Sequence, residues 1–279
     1  MRMGEEIITS RQNKSVSLAV SLESRKTREK EGLFRFDGGK LFSEAVSCGI
    51  CIDRLLLRQS ESKKWLALAE GYGEALADTA VLILADELFD RISTERAPEG
   101  ILAIAERPSI HARVGEESFA LAEQVAAHAD KRILLLESVR DTGNVGTILR
   151  SASAFGFDLV VMSADCADLL NPKTVRGAMG ALFRQPTATF VDMTEAISLL
   201  RSHGRRVFGA ALDRKALALG RSVLQKGDCV VIGNEGHGLS EKTLAACSDT
   251  LFIPMEKGSE SLNAAIAASV IMWSMYAGL

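Results

Sequence analysis

The second half of the chain alternates short apolar runs with stretches of helical pattern, and this alternation constrains the fold more than any other feature. The runs are rich in Val, Ile and Leu and contain few polar residues. Such runs, each followed by a helix, are typical of a parallel β-sheet with helices on both faces. We therefore predict an α/β domain over residues 131–279. Its predicted strands are 133–137, 159–162, 189–190, 207–211, 229–232 and 250–253, and its predicted helices are 146–155, 172–181, 194–203, 240–246 and 262–276.

The first part of the chain predicts a smaller α/β domain over residues 1–108. Residues 109–130 lack strand character and predict a connector with one helix at 116–129. With 279 residues, of which 47% are hydrophobic, the chain is long enough for two packed cores. The predicted helices of the first part are 7–32, 41–48, 63–77 and 88–93, and its predicted strands are 34–39, 52–58, 80–84 and 100–106.

Charge is distributed unevenly along the chain, although the net charge is only −3. Residues 1–64 carry 13 Lys and Arg against 9 Asp and Glu, whereas the remainder carries 20 against 27. Arg25 and Arg28 recur at helical spacing within the basic part. This pattern fits a module that binds phosphate, but on charge alone a solvated helix face is the simpler explanation.

The amino-terminal residues and the cysteines favour a cytoplasmic protein. Residues 1–10 are charged rather than apolar, so we expect no signal peptide, and no apolar run reaches the length of a membrane span. Cys48 and Cys51 have C-x-x-C spacing, but no second pair or nearby histidine completes a zinc site. We interpret them as two semi-buried thiols in a reducing compartment, and we expect Cys229 to lie in the core.

Three glycine-containing segments, residues 144–150, 232–240 and 253–263, adjoin predicted strand ends in the second half. Strand ends that lead into such turns are where α/β proteins build ligand sites, so the three segments predict one composite pocket. In the first segment, Arg150 lies one helical turn after Gly146 and so faces the predicted helix start, which attracts anions. An equally simple interpretation is a surface arginine that pairs with Asp141 or another neighbour.

The second and third segments each admit an ordinary explanation. The glycines 233, 236 and 238 have G-x-x-G-x-G spacing, which differs from a dinucleotide fingerprint, so nicotinamide binding is disfavoured. We interpret His237, between two glycines, as a loop residue rather than a general base. In the third segment Ser261 or Asn263 is the expected cap of the last helix. Capping does not account for the whole polar set Ser259, Glu260, Ser261 and Asn263.

Taken in order, the motifs N-x-G-x-x-x-R, I-G-N-E-G-x-G-L and I-P-M-x-x-x-x-x-S-L-N resemble those of the SpoU (TrmH) branch of the SPOUT RNA methyltransferases. The resemblance covers residues 131–279 and includes the segment 171–181. Residues 8–13, 34–38 and 98–100 are similar to the small L30e-like RNA-binding domain that precedes the catalytic domain in many members. Asp37 departs from that pattern, because relatives more often have Glu there.

The resemblance implies a fold, a reaction and a set of site residues. It implies a parallel sheet whose carboxyl-terminal segment forms a trefoil knot, a homodimer, S-adenosylmethionine as methyl donor without a metal, and a ribose 2′-hydroxyl of RNA as acceptor. By motif position, the resemblance implies these roles: Arg150, Asn144 and Glu235 catalytic; Ser261 and Asn263 in substrate binding; and Gly233, Asn234, Gly238, Ile253, Met255 and Leu262 in donor binding. Arg25 and Arg28 lie outside these motifs, and we predict that they bind substrate because they belong to the basic amino-terminal part.

The family mechanism makes the arginine the base, to which there is a physical objection. A guanidinium has a pKa above about 12 and rarely loses its proton. We therefore expect Arg150 to hold a phosphate or the developing alkoxide, with Glu235 as a candidate proton acceptor. An L30e-like domain favours ribosomal RNA as the substrate. Transfer RNA and a catalytically silent RNA-binding protein of the same fold remain the alternatives.

Overall fold

A computed structural model describes residues 1–3, 6–212, 216–220, 223–256 and 261–278 of the protein. The chain divides into two compact units. The first consists of Met1–Pro108 together with Leu170–Phe183, and the second of Ser109–Leu169 together with Arg184–Leu279. Among the described residues, no helix combines the length and the apolar character needed to span a membrane.

The first 108 residues form a five-stranded mixed sheet with helices packed on it. The strand order is β1-β4-β3-β5-β2; β5 is antiparallel to β2 and β3, and the other pairs are parallel. The elements are β1 (Arg2–Met3), α1 (Lys14–Ser21), α2 (Arg25–Glu31), β2 (Leu33–Asp37), α3 (Gly39–Ser47), β3 (Ile52–Arg58), α4 (Ser62–Glu70), β4 (Ala80–Leu84), α5 (Asp86–Ile92) and β5 (Ile101–Glu106).

The single helix predicted at 7–32 is wrong, because the segment contains two shorter helices. The first begins only at Lys14, where the side chain of Asn13 accepts a hydrogen bond from the Ser15 backbone N–H. It ends at Ser21, and the chain turns before α2 begins at Arg25. The helical periodicity continued across this turn, so spacing alone gave no sign of the break.

The core of the first unit is mainly apolar and contains a fully buried arginine, Arg35. Val16, Leu56 and Phe89 are fully buried in it. Arg35 is also fully buried, and its guanidinium donates to the carbonyl oxygens of Ala19 and Ile92. It thereby ties the ends of α1 and α5 to β2, and its ion pair with Asp37 at 3.2 Å compensates a charge that would otherwise be costly to bury.

Residues 109–278 contain the elements of the second unit and one helix, α8, that belongs to the first. The elements are α6 (Glu116–Ala126), β6 (Ile133–Leu136), α7 (Thr142–Ala154), β7 (Leu159–Ser163), α8 (Pro172–Ala178), β8 (Thr187–Phe190), α9 (Met193–Ser202), β9 (Val207–Ala210), β10 (Leu217–Ala218), β11 (Cys229–Ile232), α10 (Glu241–Ala246), β12 (Asp249–Phe252) and α11 (Ala264–Ala277).

The second unit is built on a parallel sheet, as the apolar runs predicted. Seven strands lie in the order β10-β12-β9-β11-β6-β7-β8, and every described pair is parallel. Helices α6 and α9 contribute to the large core cluster with β6, β7 and β11, and α7 packs against α11. The two-residue strand β10 was not predicted, because a run that short leaves no periodicity to detect.

The parallel arrangement brings four strand ends to one edge of the sheet. β6, β11, β9 and β12 are consecutive neighbours, so their carboxyl ends, Leu136, Ile232, Ala210 and Phe252, lie along the same edge. The three segments singled out in the sequence follow β6, β11 and β12. Sheet geometry alone therefore collects them beside one another.

Candidate active site

The turn after β11 is a tight hairpin-like loop that requires glycine at two positions. The backbones of Asn234 and Gly238 hydrogen-bond to each other in both directions, at 2.9 and 3.1 Å. Gly238 has a φ of +69°, in the left-handed region that favours glycine. A Cβ atom on Gly233 would lie 2.5 Å from the carbonyl carbon of Gly238, so a side chain cannot fit there.

Asn234 holds this turn together through its side chain. Its Oδ1 accepts hydrogen bonds from the backbone N–H groups of Gly236 and His237, and its Nδ2 donates to the carbonyl oxygen of Ser138 at 2.8 Å. The side chain of Asn234 is thus occupied by hydrogen bonds within the protein. Its role in donor binding stays a prediction, and only its backbone groups are placed to fulfil it.

Hydrogen bonds connect one residue from each of the three motifs. Asn263 caps α11, with its Oδ1 accepting from the backbone N–H groups of Ala265 and Ile266. Its Nδ2 therefore faces Asn144 and donates to Asn144 Oδ1 at 2.9 Å. Asn144 Nδ2 in turn donates to Glu235 Oε1 at 2.5 Å. Because backbone N–H groups fix the orientation of Asn263, the orientation of Asn144 and the acceptor role of Glu235 follow.

Helix α7 begins four residues earlier than predicted. Asp141 is the N-cap, and its Oδ1 accepts from the Asn144 backbone N–H at 2.8 Å. The predicted start at Gly146 was wrong because two glycines looked like a loop, whereas a cap stands before them. The carboxylate of Asp141 therefore accepts a hydrogen bond at the helix start, where we had expected an external anion to bind.

Arg150 does not join the hydrogen-bonded network. It is exposed on α7, and within the described part of the chain its side chain makes no hydrogen bond or ion pair. No ion pair described by the structure joins Arg150 to Asp141 or to a neighbour, and Asp141 caps the helix instead. The guanidinium is therefore free to meet a ligand that carries negative charge.

A small apolar cavity lies beside the third segment. Its volume is about 140 Å³, and its walls are formed by the ends of β9 and β12, the following residues and α11. Ile253, Met255, Ser261 and Leu262 are among the lining residues, whereas Gly233, Asn234 and Gly238 are not. Aliphatic walls beside exposed backbone fit a flat heterocycle with hydrogen-bonding edges. Ser259 and Glu260 fall outside the described residues.

Two residues that the sequence did not single out support this edge of the sheet. Glu137 is buried after β6, and its carboxylate accepts hydrogen bonds from Ser240 and Thr243. Ser138 has a positive φ of 56° and donates from its hydroxyl to Asp165 at 2.7 Å. Partial burial alone would raise the pKa of Asp165, but hydrogen bonds from Ser138, Ser163 and Arg140 lower it to about 2. In the sequence, the only sign of a role for Glu137 was its position as an acidic residue at the end of an apolar run.

In the first unit, the two arginines predicted to bind substrate differ in exposure. Arg28 is buried, and its Nη1 donates to the carbonyl oxygens of Leu22 and Glu23 at 2.7 and 2.8 Å. This geometry supports the turn between α1 and α2 and disfavours contact with a substrate. Arg25 is exposed and pairs with Glu29 one helical turn away.

The cysteines carry no sign of metal or redox chemistry within the described residues. All five are free thiols, and no cluster of three His, Cys, Asp or Glu side chains suited to a metal ion occurs among those residues. Cys229 is fully buried, as predicted, and burial raises its pKa to about 12. Cys48 is half-buried, as predicted, but Cys51 is exposed, so the prediction of a semi-buried thiol was wrong there. Local desolvation and the neighbouring Glu106 nevertheless raise the pKa of Cys51.

Two family models match the chain. The model of the SpoU rRNA Methylase family matches residues 131–273, and the model of the MRM3-like substrate binding domain matches residues 13–103. The first match contains all of Asn144, Arg150, Glu235, Ser261 and Asn263.

Similar proteins cover almost the whole chain. The 23S rRNA (guanosine(2553)-2′-O)-methyltransferase RlmP of Bacillus subtilis (strain 168) is 28% identical over 268 residues, or 96% of this chain and 98% of the relative. A protein from Porphyromonas gingivalis assigned to the TrmH family of RNA methyltransferases is 29% identical, with a TM-score of 0.75 over 97% of this chain and 98% of its own. The SpoU methyltransferase AviRb from Streptomyces viridochromogenes, in complex with the cofactor AdoMet, shares the fold at 24% identity, with a TM-score of 0.76 over 95% and 98% of the chains.

Proposed function

The chain belongs to the SpoU rRNA methylase family, and from this premise we propose that it transfers a methyl group from S-adenosylmethionine to a ribose 2′-hydroxyl of ribosomal RNA. The observation that carries the proposal is the hydrogen-bonded chain from Glu235 through Asn144 to Asn263. It joins all three motifs at one edge of the sheet, beside an apolar cavity. The similarity to RlmP favours ribosomal RNA over transfer RNA as the substrate.

S-adenosylmethionine fits the residues around the cavity. Ile253, Met255 and Leu262 supply apolar walls for the adenine ring, and Gly233 and Gly238 bring backbone groups close to the same edge. The donor supplies a methyl group on a sulfonium, which is already a good leaving group and therefore needs no metal. The AdoMet complex of AviRb, which shares this fold, supports the assignment.

The side chains at this edge meet the demands of the acceptor. A ribose 2′-hydroxyl is a weak nucleophile that must lose a proton as it is methylated. Arg150, exposed and without a partner among the described residues, holds a phosphate or the developing alkoxide as a charged donor. Glu235 is the candidate proton acceptor, and Asn144 fixes one of its oxygens. Ser261 lies at the cavity and is assigned to substrate binding.

The first unit is assigned to RNA binding, which its match to the MRM3-like substrate binding domain supports. It contains an open groove of about 850 Å³ whose lining includes Arg11 and Arg91 together with the acidic Asp86 and Glu87. The structure describes no ion pair for Arg11 or Arg91, so both are available for phosphate. We assign the RNA surface to this groove rather than to the buried Arg28, with exposed Arg25 as a further contact.

A homodimer belongs to the same proposal. Ile266, Val270 and Trp273 recur at helical spacing on α11 and are 53%, 37% and 49% exposed. With Thr147 of α7 they line an apolar recess of about 320 Å³. An exposed apolar helix face of this kind is typical of a surface that a second copy covers. The trefoil knot of the family and a cytoplasmic location, where ribosomal RNA is available, complete the proposal.

The proposal is tested by methyl transfer from donor labelled with tritium in the methyl group. We expect label in 23S ribosomal RNA from a strain that lacks this gene, and 2′-O-methyl mapping to place it on a single nucleotide. Arg150→Ala protein is the matched control and should transfer little. Label in transfer RNA alone would show that transfer RNA, not ribosomal RNA, is the substrate. RNA binding without any methyl transfer would favour the catalytically silent alternative.

A further inference from the structure

We propose that Glu137 and Ser138, the two residues that follow β6, form an anchor that positions the catalytic turn after β11. In this role Glu137 is a positioning residue, and it neither touches substrate nor accepts the proton. The inference rests on the proposed function, because it gives Glu235 a place in catalysis. It gives a positioning role to the buried carboxylate of Glu137, which takes no direct part in the proposed reaction.

Glu137 fixes the far end of the turn. Its side chain is buried, and its Oε2 accepts from the Ser240 backbone N–H at 2.9 Å. Its Oε1 accepts from the hydroxyl of Ser240 at 2.9 Å and from that of Thr243 at 2.5 Å. Three donors thus converge on one carboxylate at the first turn of α10. A buried carboxylate satisfied in this way holds its partners in a defined geometry.

Ser138 fixes the near end of the same turn. Its carbonyl oxygen accepts from Asn234 Nδ2, while its own N–H donates to Ser163 Oγ at 2.8 Å. The hydroxyl donates to Asp165. These bonds hold Ser138 at its positive φ, a conformation that is unfavourable for serine unless its surroundings impose it. The carbonyl is thereby aimed at the turn.

The consequence is that two adjacent residues clamp both ends of residues 233–240. Glu235 lies between the clamped ends, exposed, with one oxygen on Asn144. A shift of the turn by about 1 Å is enough to break such an alignment and to lower turnover by as much as 100-fold. Because the Glu137 carboxylate faces α10 and is occupied by three donors, it is not placed to take a proton from substrate.

The test compares Glu137→Gln with Glu241→Gln, an exposed glutamate in the first turn of α10. The amide introduced by Glu137→Gln turns one acceptor into a donor that faces other donors, so the anchor fails while side-chain size is kept. We expect kcat for methyl transfer to fall at least tenfold, with KM for RNA within twofold and the midpoint of the pH–rate profile unchanged. Amide hydrogen exchange should accelerate at 233–240 and stay slow in β7 and α9. The Glu241 variant should match the wild type.

Two outcomes would overturn the anchor: a kcat within twofold of wild type with unchanged exchange at 233–240, or a shifted midpoint, which would make Glu137 part of proton transfer. Thr243→Val, which removes one donor and keeps the shape, repeats the test if the glutamine variant does not fold. It should lower kcat by a smaller factor than the glutamine variant and accelerate exchange at the same residues, 233–240. If the wild-type enzyme methylates no RNA, the proposed function fails, and the exchange data still decide whether the anchor exists.

Discussion

At the scale of single residues, the turn after β11 depends on a glycine whose missing side chain allows two backbone segments to approach closely. Gly233 lies against the backbone of Gly238, where an added Cβ would be 2.5 Å from the nearest carbon. A Cβ added to Gly236, three residues later, would lie 3.5 Å from Asn234 Oδ1, which is an ordinary van der Waals contact. The two glycines therefore have different tolerances although both belong to one motif.

We expect Gly233→Ala to open the turn, because backbone atoms cannot move aside as a flexible side chain would. The overpacking should cost about 1–3 kcal/mol of unfolding free energy and abolish donor binding. Denaturant unfolding and calorimetric titration with S-adenosylmethionine measure the two effects. Gly236→Ala is the matched control and should change neither. Normal donor affinity in the Gly233 variant would mean that the turn is not part of the donor site.

The charge and shape of Arg150 give a second prediction. The guanidinium offers a planar fork of donors that a lysine ammonium cannot reproduce. We expect Arg150→Lys to lower kcat about 100-fold, in the range seen when a charge-stabilising donor is removed, and the loss should persist at high pH. Rate measurements from neutral to alkaline pH test this. Near-normal turnover of the lysine variant, or rescue of Arg150→Ala simply by raising the pH, would show that Arg150 acts as a base.

A site residue can be predicted from the sequence only where its local sequence pattern is distinctive. Asn144, Glu235 and Asn263 stand in glycine-rich segments at strand ends, where polar residues are conspicuous, and the structure joins them by hydrogen bonds. Glu137 gives no comparable signal, since one carboxylate after an apolar run has no spacing that marks it. Arg28 shows the opposite failure, because helical spacing cannot distinguish a solvated arginine from a buried one.

At the scale of elements, caps decide where the functional helices begin. Asp141 starts α7 before two glycines that looked like a loop, which is why sequence reasoning began the helix at Gly146. Asn263 starts α11 and was one of the two caps considered from the sequence, with Ser261 as the other. Its amide serves two purposes, with the oxygen capping the helix and the nitrogen holding Asn144.

Asn263→Asp separates these two purposes. The carboxylate still accepts from the Ala265 and Ile266 N–H groups, and a negative charge at a helix start is favourable. It cannot donate to Asn144 Oδ1, so Asn144 loses its support. We expect thermal stability close to wild type with a clear fall in kcat, whereas Asn263→Ala should also lose about 1 kcal/mol of unfolding free energy with the cap. Full turnover of the aspartate variant would make the bond to Asn144 dispensable.

At the scale of the whole molecule, sequence order and spatial order diverge. Residues 170–183 lie between strands of the second unit but belong to the first. Their helix was predicted at nearly the right place, since Asn171 caps it and Pro172 suits its first turn. Local patterns describe an element but not the core against which it packs, so its unit could not be read from sequence. Phe183, at the end of this segment, lies 5.5 Å from the Phe36 ring centre.

We expect Phe183→Ala to loosen the first unit although the residue is distant from it in sequence. The side chain is buried, and loss of a buried phenylalanine costs about 3–5 kcal/mol. Hydrogen exchange should therefore accelerate in β2 and α3 and stay unchanged in β6 and β7. Phe190→Ala, which removes a buried ring from the core of the second unit, should give the reverse pattern. Faster exchange in β6 of the Phe183 variant would place the segment in the other core.

The exposed face of α11 bears on the assembly of the molecule, because exposing three apolar side chains to water is unfavourable for a monomer. If a second copy covers this face, a buried charge there must disrupt the pair, since an unpaired carboxylate in an apolar contact is strongly unfavourable. We expect Trp273→Glu to convert a dimer into a monomer in sedimentation equilibrium and to reduce methyl transfer, because Trp273 shares α11 with the cap at Asn263. Val191→Glu places the same charge at a 75% exposed position after β8 and should leave the dimer intact. A wild-type protein that sediments as a monomer at micromolar concentration, or a Trp273→Glu protein that remains dimeric, would assign the apolar face to something other than a second copy.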